Sequence, residues 1–351
     1  MEGFREPQMP LNRSSRQQGV VLLVVLFFAL LLTSSIATFT RRALIDASVA
    51  RNRDAAARAE ALARSGIRLG KSILIMDRIQ EETTQQAIDS HQDAWSQLAG
   101  VEIPGGDGAI LNIRIEDSGT LFNLNSIFDY AEGGAPLDDA TEPFLDAFFE
   151  KVIDEMKIPP GEKFYDISEL SEAQMDWVDA DPVRIQGGLE DTHYQLQQPP
   201  YRAANGPLMS VDDLFLIEGF DHKLVAALKP YVTVEPFAGG GGVNLNTAPA
   251  HVLSLIYFND GIDDRLAKED EVKQILEVRQ KDGLLCGDSL SLEGCTPISS
   301  IVPNAIFPPP TYTASVFRIE ASAQVGDVRR SIEAVGNRSV DPPLMLSWQV
   351  R

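Results

Sequence analysis

The chain begins with a polar segment and then contains twenty consecutive residues without a charge, Val20 to Phe39. At about 1.5 Å per helical residue this run spans roughly 30 Å, which is the thickness of the hydrocarbon layer of a bilayer. It is longer than the apolar stretch of a cleaved secretory signal, which has about 7 to 15 residues. We therefore predict a membrane-spanning helix. Arginines lie on both sides of it, so the charge distribution leaves its orientation open.

An amphipathic pattern follows the apolar run. Between Val20 and Ser65 there is neither glycine nor proline, and apolar residues recur at helical spacing from Leu44 to Ile73. This pattern favours one helix that leaves the membrane and continues, about 75 Å long for some fifty residues. The alternative is a membrane anchor followed by a separate helix.

Two regions alternate between apolar and polar residues, as strands with one buried face do. In the first, Ile110 to Asp117 and Gly119 to Ser126 flank a short turn and predict a β-hairpin. In the second, Ser315 to Ala323 and Val328 to Val335 predict another hairpin around Gly326-Asp327. Together they predict a small antiparallel sheet.

Between the two predicted hairpins the hydrophobic spacing changes to that of helices. Ser210 with Asp213 three residues later forms a near capping box. Gly239 to Gly242 predicts a flexible join and Pro308 to Pro310 a stiff one. The predicted helices are Pro143–Met156, Ile167–Val178, Val211–Ile217, Lys223–Lys229, Ala250–Tyr257 and Glu271–Arg279.

These elements predict an α+β fold in which a long N-terminal helix packs on a small antiparallel sheet and a large helical domain interrupts the head. The sequence leaves open whether the chain starts at Met1 or Met9. The predicted divisions are a leader at 1–19, the N-terminal helix at 20–76 with its transmembrane part at 20–39, the head in two parts at 77–129 and 241–338, the helical insertion at 130–240, and a tail at 339–351.

Charge separates the membrane segment from the rest. The chain has 351 residues, of which 51 are acidic and 30 basic, for a net charge of −21. Residues 43 to 351 carry 49 acidic and 25 basic side chains. Such an excess of negative charge argues against a protein that coats nucleic acid.

The two cysteines, Cys286 and Cys295, lie nine residues apart in a segment with the character of a loop. This spacing fits a local disulfide in an oxidising compartment and matches no four-ligand zinc pattern. It favours an exported C-terminal portion. Two unrelated reduced cysteines are the alternative.

Five carboxylates lie within sixteen residues, and they are Asp176, Asp179, Asp181, Glu190 and Asp191. Oxygen donors on a loop suit Ca²⁺, which takes six to eight oxygen ligands. The spacing of an EF-hand loop is absent from this segment. On composition alone, a solvated acidic loop is the better interpretation.

The start of the apolar run resembles a type IV prepilin leader. Arg16-Gln17-Gln18-Gly19 precedes it directly, as a short basic segment ending in glycine does in that family. The resemblance implies that a membrane-bound prepilin peptidase cuts after Gly19 on the cytoplasmic side, which makes Val20 the new, methylated N-terminus. Most such subunits have glutamate at the fifth mature position, and here Val24 occupies it. A buried carboxylate is thought to meet the α-amino group of a neighbouring subunit, so its absence indicates a tip subunit or a false match.

Further blocks, in the same order as in the family, resemble the K-type minor pseudopilins of type II secretion systems (the GspK family). That family has a pilin-like fold with a large helical insertion. The resemblance implies a single-pass protein of the bacterial inner membrane with its body in the periplasm. It also implies partnership with the I- and J-type minor pseudopilins and with the inner-membrane assembly platform. The blocks are Phe122–Ser126, Asp176–Pro182, Gly187–Tyr194, Pro200–Leu208 and Val243–Pro249.

The resemblance also changes the interpretation of the acidic loop, because K-type pseudopilins bind calcium in their helical domain. It implies Asp179, Asp181, Glu190 and Asp191 as ligands of a structural Ca²⁺, whereas Asp176 is expected to face outward from its helix.

The size of the head points to a place in the fibre. Subunits stack above and below each other in a thin filament, so an insertion of about a hundred residues obstructs whatever follows it. The missing glutamate at Val24 and the large head therefore both indicate the tip of the pseudopilus. We expect a non-catalytic subunit that primes fibre assembly and takes part in export across the outer membrane.

A DNA-binding or DNA-uptake membrane protein is the competing hypothesis, because Ser210 to Pro230 and Asn246 to Gly283 have the rhythm of helix-hairpin-helix modules. Those modules place glycine amides against a phosphate. Here Glu218 precedes Gly219, and Asp221 stands where the second glycine belongs, so we expect no nucleic acid partner. The four histidines show no zinc-hydrolase pairing, and no enzyme motif stands out.

Overall fold

The computed structural model describes residues 15–84, 87–159, 164–236, 241–259, 261, 264–281, 283–288, 294–302, 305–340 and 343–350. The alternative start residues Met1 and Met9 lie outside the described residues, as do Gly239 and Gly240 of the predicted join.

The helices and strands are numbered in chain order. The helices are α1 Ser15–Thr84, α2 Thr141–Glu155, α3 Ile167–Val178, α4 Asp191–Tyr194, α5 His222–Leu228, α6 Ala250–Leu253 and α7 Glu269–Gln280. The strands are β1 Glu102–Pro104, β2 Ile110–Asp117, β3 Phe122–Asn123, β4 Phe128–Asp129, β5 Ala135–Pro136, β6 Val232–Thr233, β7 Tyr257–Phe258, β8 Arg265–Leu266, β9 Leu284–Cys286, β10 Cys295–Pro297, β11 Ile306–Phe307, β12 Val316–Val325, β13 Val328–Asn337 and β14 Leu344–Val350.

Helix α1 is one uninterrupted helix of 70 residues, about 105 Å long. This confirms the single continuous helix and contradicts the alternative of two. The apolar side chains from Val20 to Phe39 are exposed along it. Among the described helices, it is the one that is long and apolar enough to cross a bilayer.

The second half of α1 packs on a five-stranded sheet with the order β1-β2-β12-β13-β14. All its strand pairs are antiparallel. Small residues bring the helix close to the sheet. A Cβ atom on Gly66 would lie 2.7 Å from the Cβ of Ala321, and one on Gly70 would lie 2.8 Å from Cγ2 of Ile319. Side chains larger than hydrogen at these two positions would therefore push the helix away from β12.

Two strand predictions have different outcomes. The hairpin of β12 and β13 is confirmed, with its turn at Gly326-Asp327. The hairpin of Ile110 to Asp117 with Gly119 to Ser126 is wrong. Strand β2 pairs with β1 and β12, whereas β3 pairs in parallel with β6, more than a hundred residues further along the chain. Residues after β13, which we expected to form a tail, contain strand β14.

The helical body has its own hydrophobic core. It contains four phenylalanines from α2 and β3, and rings of Phe144 and Phe148 stack with their centroids 6.2 Å apart. This core also includes buried residues from Val243 to Phe307, a stretch that the sequence analysis assigns to the head. A separate core lies between α1 and the large sheet. The structure thus groups residues 243–307 with the helical body.

Most predicted helices are present with small shifts at their ends. Helix α3 coincides with the predicted Ile167–Val178, and the capping box of Ser210 and Asp213 is formed at the start of a short 3-10 helix. Helix α6 ends at Leu253, four residues earlier than predicted, because Tyr257 pairs as a strand with Leu266.

Two asparagines brace the helical body in the same way. Asn125 donates to the carbonyl of Leu208 and accepts from its amide, both at 2.9 Å. Asn246 makes the matching pair of hydrogen bonds with Leu285, at 2.9 and 2.8 Å. Both asparagines are buried. They are the second asparagines of the two similar blocks FNLNS and VNLNT, so these blocks are structural clamps.

Candidate metal centre

Three carboxylates converge at the C-terminal end of α3. Asp176, Asp179 and Glu190 each offer an oxygen, and the three oxygens lie within 4.8 Å of one another. Asp176 is on the last turn of α3, and Asp179 caps its end, donating its amide to Met175. Glu190 comes from the following loop. Hard carboxylate oxygens at this spacing are the ligands that Ca²⁺ and Mg²⁺ prefer.

A hairpin at residues 182–190 brings Glu190 back to α3. Val183 and Leu189 form an antiparallel bridge, and the amide of Glu190 donates to the carbonyl of Pro182 at 3.3 Å. Gly187 and Gly188 make the turn with φ angles of 88° and 102°, which side chains rarely allow. This hairpin is therefore the element that completes the carboxylate cluster.

The expectation that Asp176 faces outward is wrong. Its side chain is buried, and Oδ1 accepts the amide of Ile185 at 3.0 Å. The end of α3 is covered by the hairpin that follows it, a contact that helical periodicity does not reveal.

Two oxygens in the cluster have no hydrogen-bond partner. Oδ1 of Asp179 and Oε1 of Glu190 are buried and unpaired in the described structure. An unsatisfied buried acceptor costs about 1 to 3 kcal/mol, and more when it is charged. A divalent cation between these oxygens would remove that cost. The orphaned oxygens and the donor types therefore fit a hard cation such as Ca²⁺.

Burial also changes the pKa of these groups. Burial, followed by repulsion from Asp181 and Asp176, raises the pKa of Asp179 to about 6. Burial, followed by repulsion from Asp179, raises the pKa of Glu190 to about 7. Burial likewise raises the pKa of Asp176. Without a cation these carboxyl groups therefore bind protons at higher pH than exposed carboxyl groups do.

The other two carboxylates expected as ligands lie beside the cluster. Oδ1 of Asp181 accepts the amide of Val183 at 2.8 Å, and the side chain is exposed. Oδ1 of Asp191 accepts the amide of Ala203 at 3.1 Å, while Oδ2 lies 3.6 Å from Nε of Arg202. The structure thus brings together Asp179 and Glu190 of the predicted set and adds Asp176.

Aromatic side chains pack next to the carboxylate cluster, starting with Trp177, the neighbour of Asp176 in sequence. The ring of Trp177 lies edge-on to Tyr194 at 5.2 Å and to Tyr201 at 6.3 Å. The hydroxyl of Tyr201 donates to the carbonyl of Leu216 at 2.8 Å. These contacts join α3, α4 and the segment before α5, so the site is part of the packed body.

The residues expected to matter for processing and assembly lie at the start of α1. Gly19 and Val20 are within the helix, and Val24 is exposed among other apolar side chains. In the other half of the molecule, Cys286 and Cys295 form a disulfide with their Cα atoms 5.9 Å apart. This disulfide connects β9 and β10, which pair in parallel.

Acidic side chains lie at the hairpin before α5. Asp221 caps α5 by accepting the amides of Lys223 and Leu224, both at 3.0 Å. Glu218 is paired with Arg184 at 3.0 Å and with His193 at 3.1 Å. A negative side chain therefore occupies the place that a phosphate would take, which disfavours the DNA-binding alternative.

A second carboxylate group lies near the end of α1, formed by Asp77, Glu81 and Asp89. The guanidinium of Arg338 lies among them, 2.6 Å from Asp77, 3.2 Å from Glu81 and 2.6 Å from Asp89. A cationic side chain thus already compensates these carboxylates.

Comparison with known proteins agrees with this architecture. A family model described as type II secretion system (T2SS), protein K, matches residues 120–237. The type II secretion system protein K of Aeromonas hydrophila is 29% identical over 259 residues, covering 72% of this chain and 73% of that protein. The protein of the same name from Pseudomonas aeruginosa is 26% identical over 278 residues, covering 79% and 75%.

The fold is also found in a solved structure. A chain of the crystal structure of the GspK-GspI-GspJ complex from the enterotoxigenic Escherichia coli type 2 secretion system matches with a TM-score of 0.57 and 17% identity. The match covers 86% of this chain and 99% of that one. With its long apolar helix, α+β head and helical body, the chain matches the K-type minor pseudopilins of type II secretion systems in sequence and in fold.

Proposed function

We propose that this minor pseudopilin forms the tip of the pseudopilus, where it primes fibre assembly and takes part in export across the outer membrane. It is a non-catalytic subunit, anchored in the inner membrane by residues 20–39 with its body in the periplasm. The disulfide of Cys286 and Cys295 supports an oxidising compartment for the body.

The observation that carries the proposal is where the helical body joins the head. Along α1, Gly66 faces Ala321, and Gly70, one turn further from the membrane segment, faces Ile319. The sheet continues in the same direction to Phe317, which pairs with Asp117.

At that end of the sheet the chain leaves β2 for the helical body and returns into β12. The body is therefore attached at the end of the head farthest from the anchor. A subunit stacked beyond it would have to occupy the same space, so the bulk is compatible with the terminal position.

A place at the tip of the fibre also bears on which subunits this chain contacts. The solved relative was crystallised as a GspK-GspI-GspJ complex, and we propose that this chain assembles with I- and J-type minor pseudopilins and with the inner-membrane assembly platform. Val24 in place of a glutamate supports this arrangement, because a terminal subunit needs no carboxylate for a preceding neighbour. Processing by prepilin peptidase after Gly19 would release Val20 as the mature N-terminus.

We further propose a structural Ca²⁺ in the helical body, held by Asp176, Asp179 and Glu190, with Asp181 and Asp191 adding negative charge beside them. The unpaired oxygens of Asp179 and Glu190 support it. When bound, the cation would supply charge compensation, and the chain's own contribution is to hold the 182–190 hairpin against α3.

The tip position can be tested by labelling. An antibody fragment against the helical body is applied to pseudopili assembled from all subunits, and the fibres are imaged by electron microscopy. We expect the label at one end of each fibre. Label distributed along the shaft would contradict the proposal.

A further inference from the structure

Arg184 connects the carboxylate cluster to a second acidic side chain. Its Nε lies 3.7 Å from Oδ2 of Asp176, and its Nη2 lies 3.0 Å from Oε2 of Glu218. Within the described residues, Arg184 is the basic side chain that forms an ion pair with the cluster, since the structure gives Asp179 and Glu190 none. A positive charge therefore stands at the edge of the candidate cation site.

The position of Arg184 is set by the surrounding backbone. Its amide donates to the carbonyl of Gly188 at 3.2 Å, and the next amide, of Ile185, donates to Asp176. On the other side, Oε1 of Glu218 lies 3.1 Å from Nδ1 of His193. Glu218 thus has a defined place from which it attracts the guanidinium away from Asp176.

We propose that Arg184 sets the affinity of the cation site, a proposal that rests on the proposed Ca²⁺ site. Its fixed positive charge weakens the binding of a divalent cation, and Glu218 limits this effect by holding the guanidinium at the rim. Arg184 therefore tunes the affinity of the site from beside Asp176 without being a ligand.

Electrostatics gives the direction of the effect. A guanidinium near a doubly charged ion repels it. At a separation of about 6 Å and with the screening of bulk water the repulsion changes the dissociation constant by about tenfold, and a lower effective dielectric constant makes the change larger. A purely structural role makes the opposite prediction. If Arg184 served only to hold the hairpin, its removal would loosen Glu190 and weaken cation binding.

A lowered affinity suits a protein outside the cytoplasm. Calcium sites of extracellular modules bind at about 10⁻⁴ to 10⁻³ M, much more weakly than cytosolic buffers. A weak site with a built-in counter-charge exchanges its ion with the surrounding medium, so the occupancy follows the external calcium concentration.

The experiment uses the full chain in detergent and Tb³⁺, a luminescent cation of calcium-like size, with excitation of Trp177 beside Asp176. Ca²⁺ is titrated to displace Tb³⁺. We expect Arg184→Gln to bind Ca²⁺ about tenfold more tightly than the wild type, and Arg184→Lys, which keeps the charge, to remain close to it. Lys229→Gln removes a charge from the ion pair with Asp212, which includes none of the cluster residues, and serves as the matched control.

Glu218 provides a second, independent variant. Glu218→Gln should weaken Ca²⁺ binding about threefold, because the guanidinium is then free to approach Asp176. The double variant with Arg184→Gln should behave like Arg184→Gln alone. Unchanged or weaker binding in Arg184→Gln overturns this inference and leaves the cation site standing. If Ca²⁺ displaces no Tb³⁺ from the wild type, the proposed site fails, and the inference fails with it.

Discussion

Nη2 of Arg338 lies 2.6 Å from Oδ2 of Asp89, and both side chains are buried. The same guanidinium reaches Asp77 and Glu81 in the last turns of α1. Arg338, the residue directly after β13, thus joins the C-terminal end of α1 to Asp89 in the segment after α1. The same guanidinium donates to the carbonyl of Ala314, so it holds α1, the segment after α1 and the start of β12 together.

Replacing Arg338 by glutamine should strongly destabilise the protein. Three carboxylates would lose their cation, and breaking a buried ion pair by removing one partner costs about 3 to 5 kcal/mol. Urea unfolding of the full chain in detergent measures the change. Arg330→Gln, at an exposed position on β13, should change the free energy of unfolding by less than about 0.5 kcal/mol. Equal effects of the two variants would contradict this account.

Asp89 should make stability depend on pH in a defined direction. Burial, only partly offset by Arg338, raises its pKa above the usual 3.8. A group with a raised folded pKa holds its proton in the folded state where the unfolded chain has released it. Its stabilising contribution is therefore complete at pH values below about 3.8 and is lost as the pH rises through the folded pKa.

The measurement compares the wild type with Asp89→Asn, in which position 89 no longer titrates. The free energy of unfolding of the wild type minus that of the variant should fall from pH 4 to pH 9. A difference that rises over this range would show that the pKa of Asp89 is lowered.

Calcium should stabilise the chain through the candidate site. A ligand that binds only the folded state adds RT ln(1 + [L]/Kd), about 2.7 kcal/mol at a hundredfold excess over Kd. We expect the melting temperature to be higher in excess Ca²⁺ than in EDTA. Asp179→Asn should remove most of this difference, whereas Asp212→Asn, an exposed acidic residue of the same body, should preserve it. An identical midpoint with and without Ca²⁺ would exclude the site.

Processing at the start of α1 can be tested by two substitutions. Gly19→Val should block the cut and abolish secretion, because the peptidase requires glycine before the cleavage site. Val24→Glu should leave secretion intact if position 24 is exempt at the tip. Mass spectrometry of the chain extracted from membranes checks the N-terminus, which should be Val20. A Gly19→Val chain that is still cut and functional would remove the prepilin interpretation.

Local patterns predicted the elements that are stabilised locally. The continuity of α1, the bounds of α3 and the hairpin of β12 and β13 follow from residue spacing, since each depends on neighbours in sequence. The partner of β3 was not predictable, because β6 lies more than a hundred residues away.

The carboxylate site shows the same limit. Its acidic residues are evident in the sequence, and two of the four expected ligands, Asp179 and Glu190, lie in the cluster. The sequence analysis expected Asp176 to face outward, because helical spacing does not show that the 182–190 hairpin folds back over the end of α3. The contribution of Arg184 and Glu218 depends on a contact across 34 positions of the chain, which no local pattern marks.

The close approach of α1 to β12 at Gly66 and Gly70 has a mechanical consequence. The helix is continuous from the apolar segment to these contacts, so anchor and head are one stiff unit without a hinge between them. A displacement of the anchor along its axis raises or lowers the head by the same distance, and a rotation of one turns the other. Extraction of the anchor from lipid and elevation of the head are therefore a single movement.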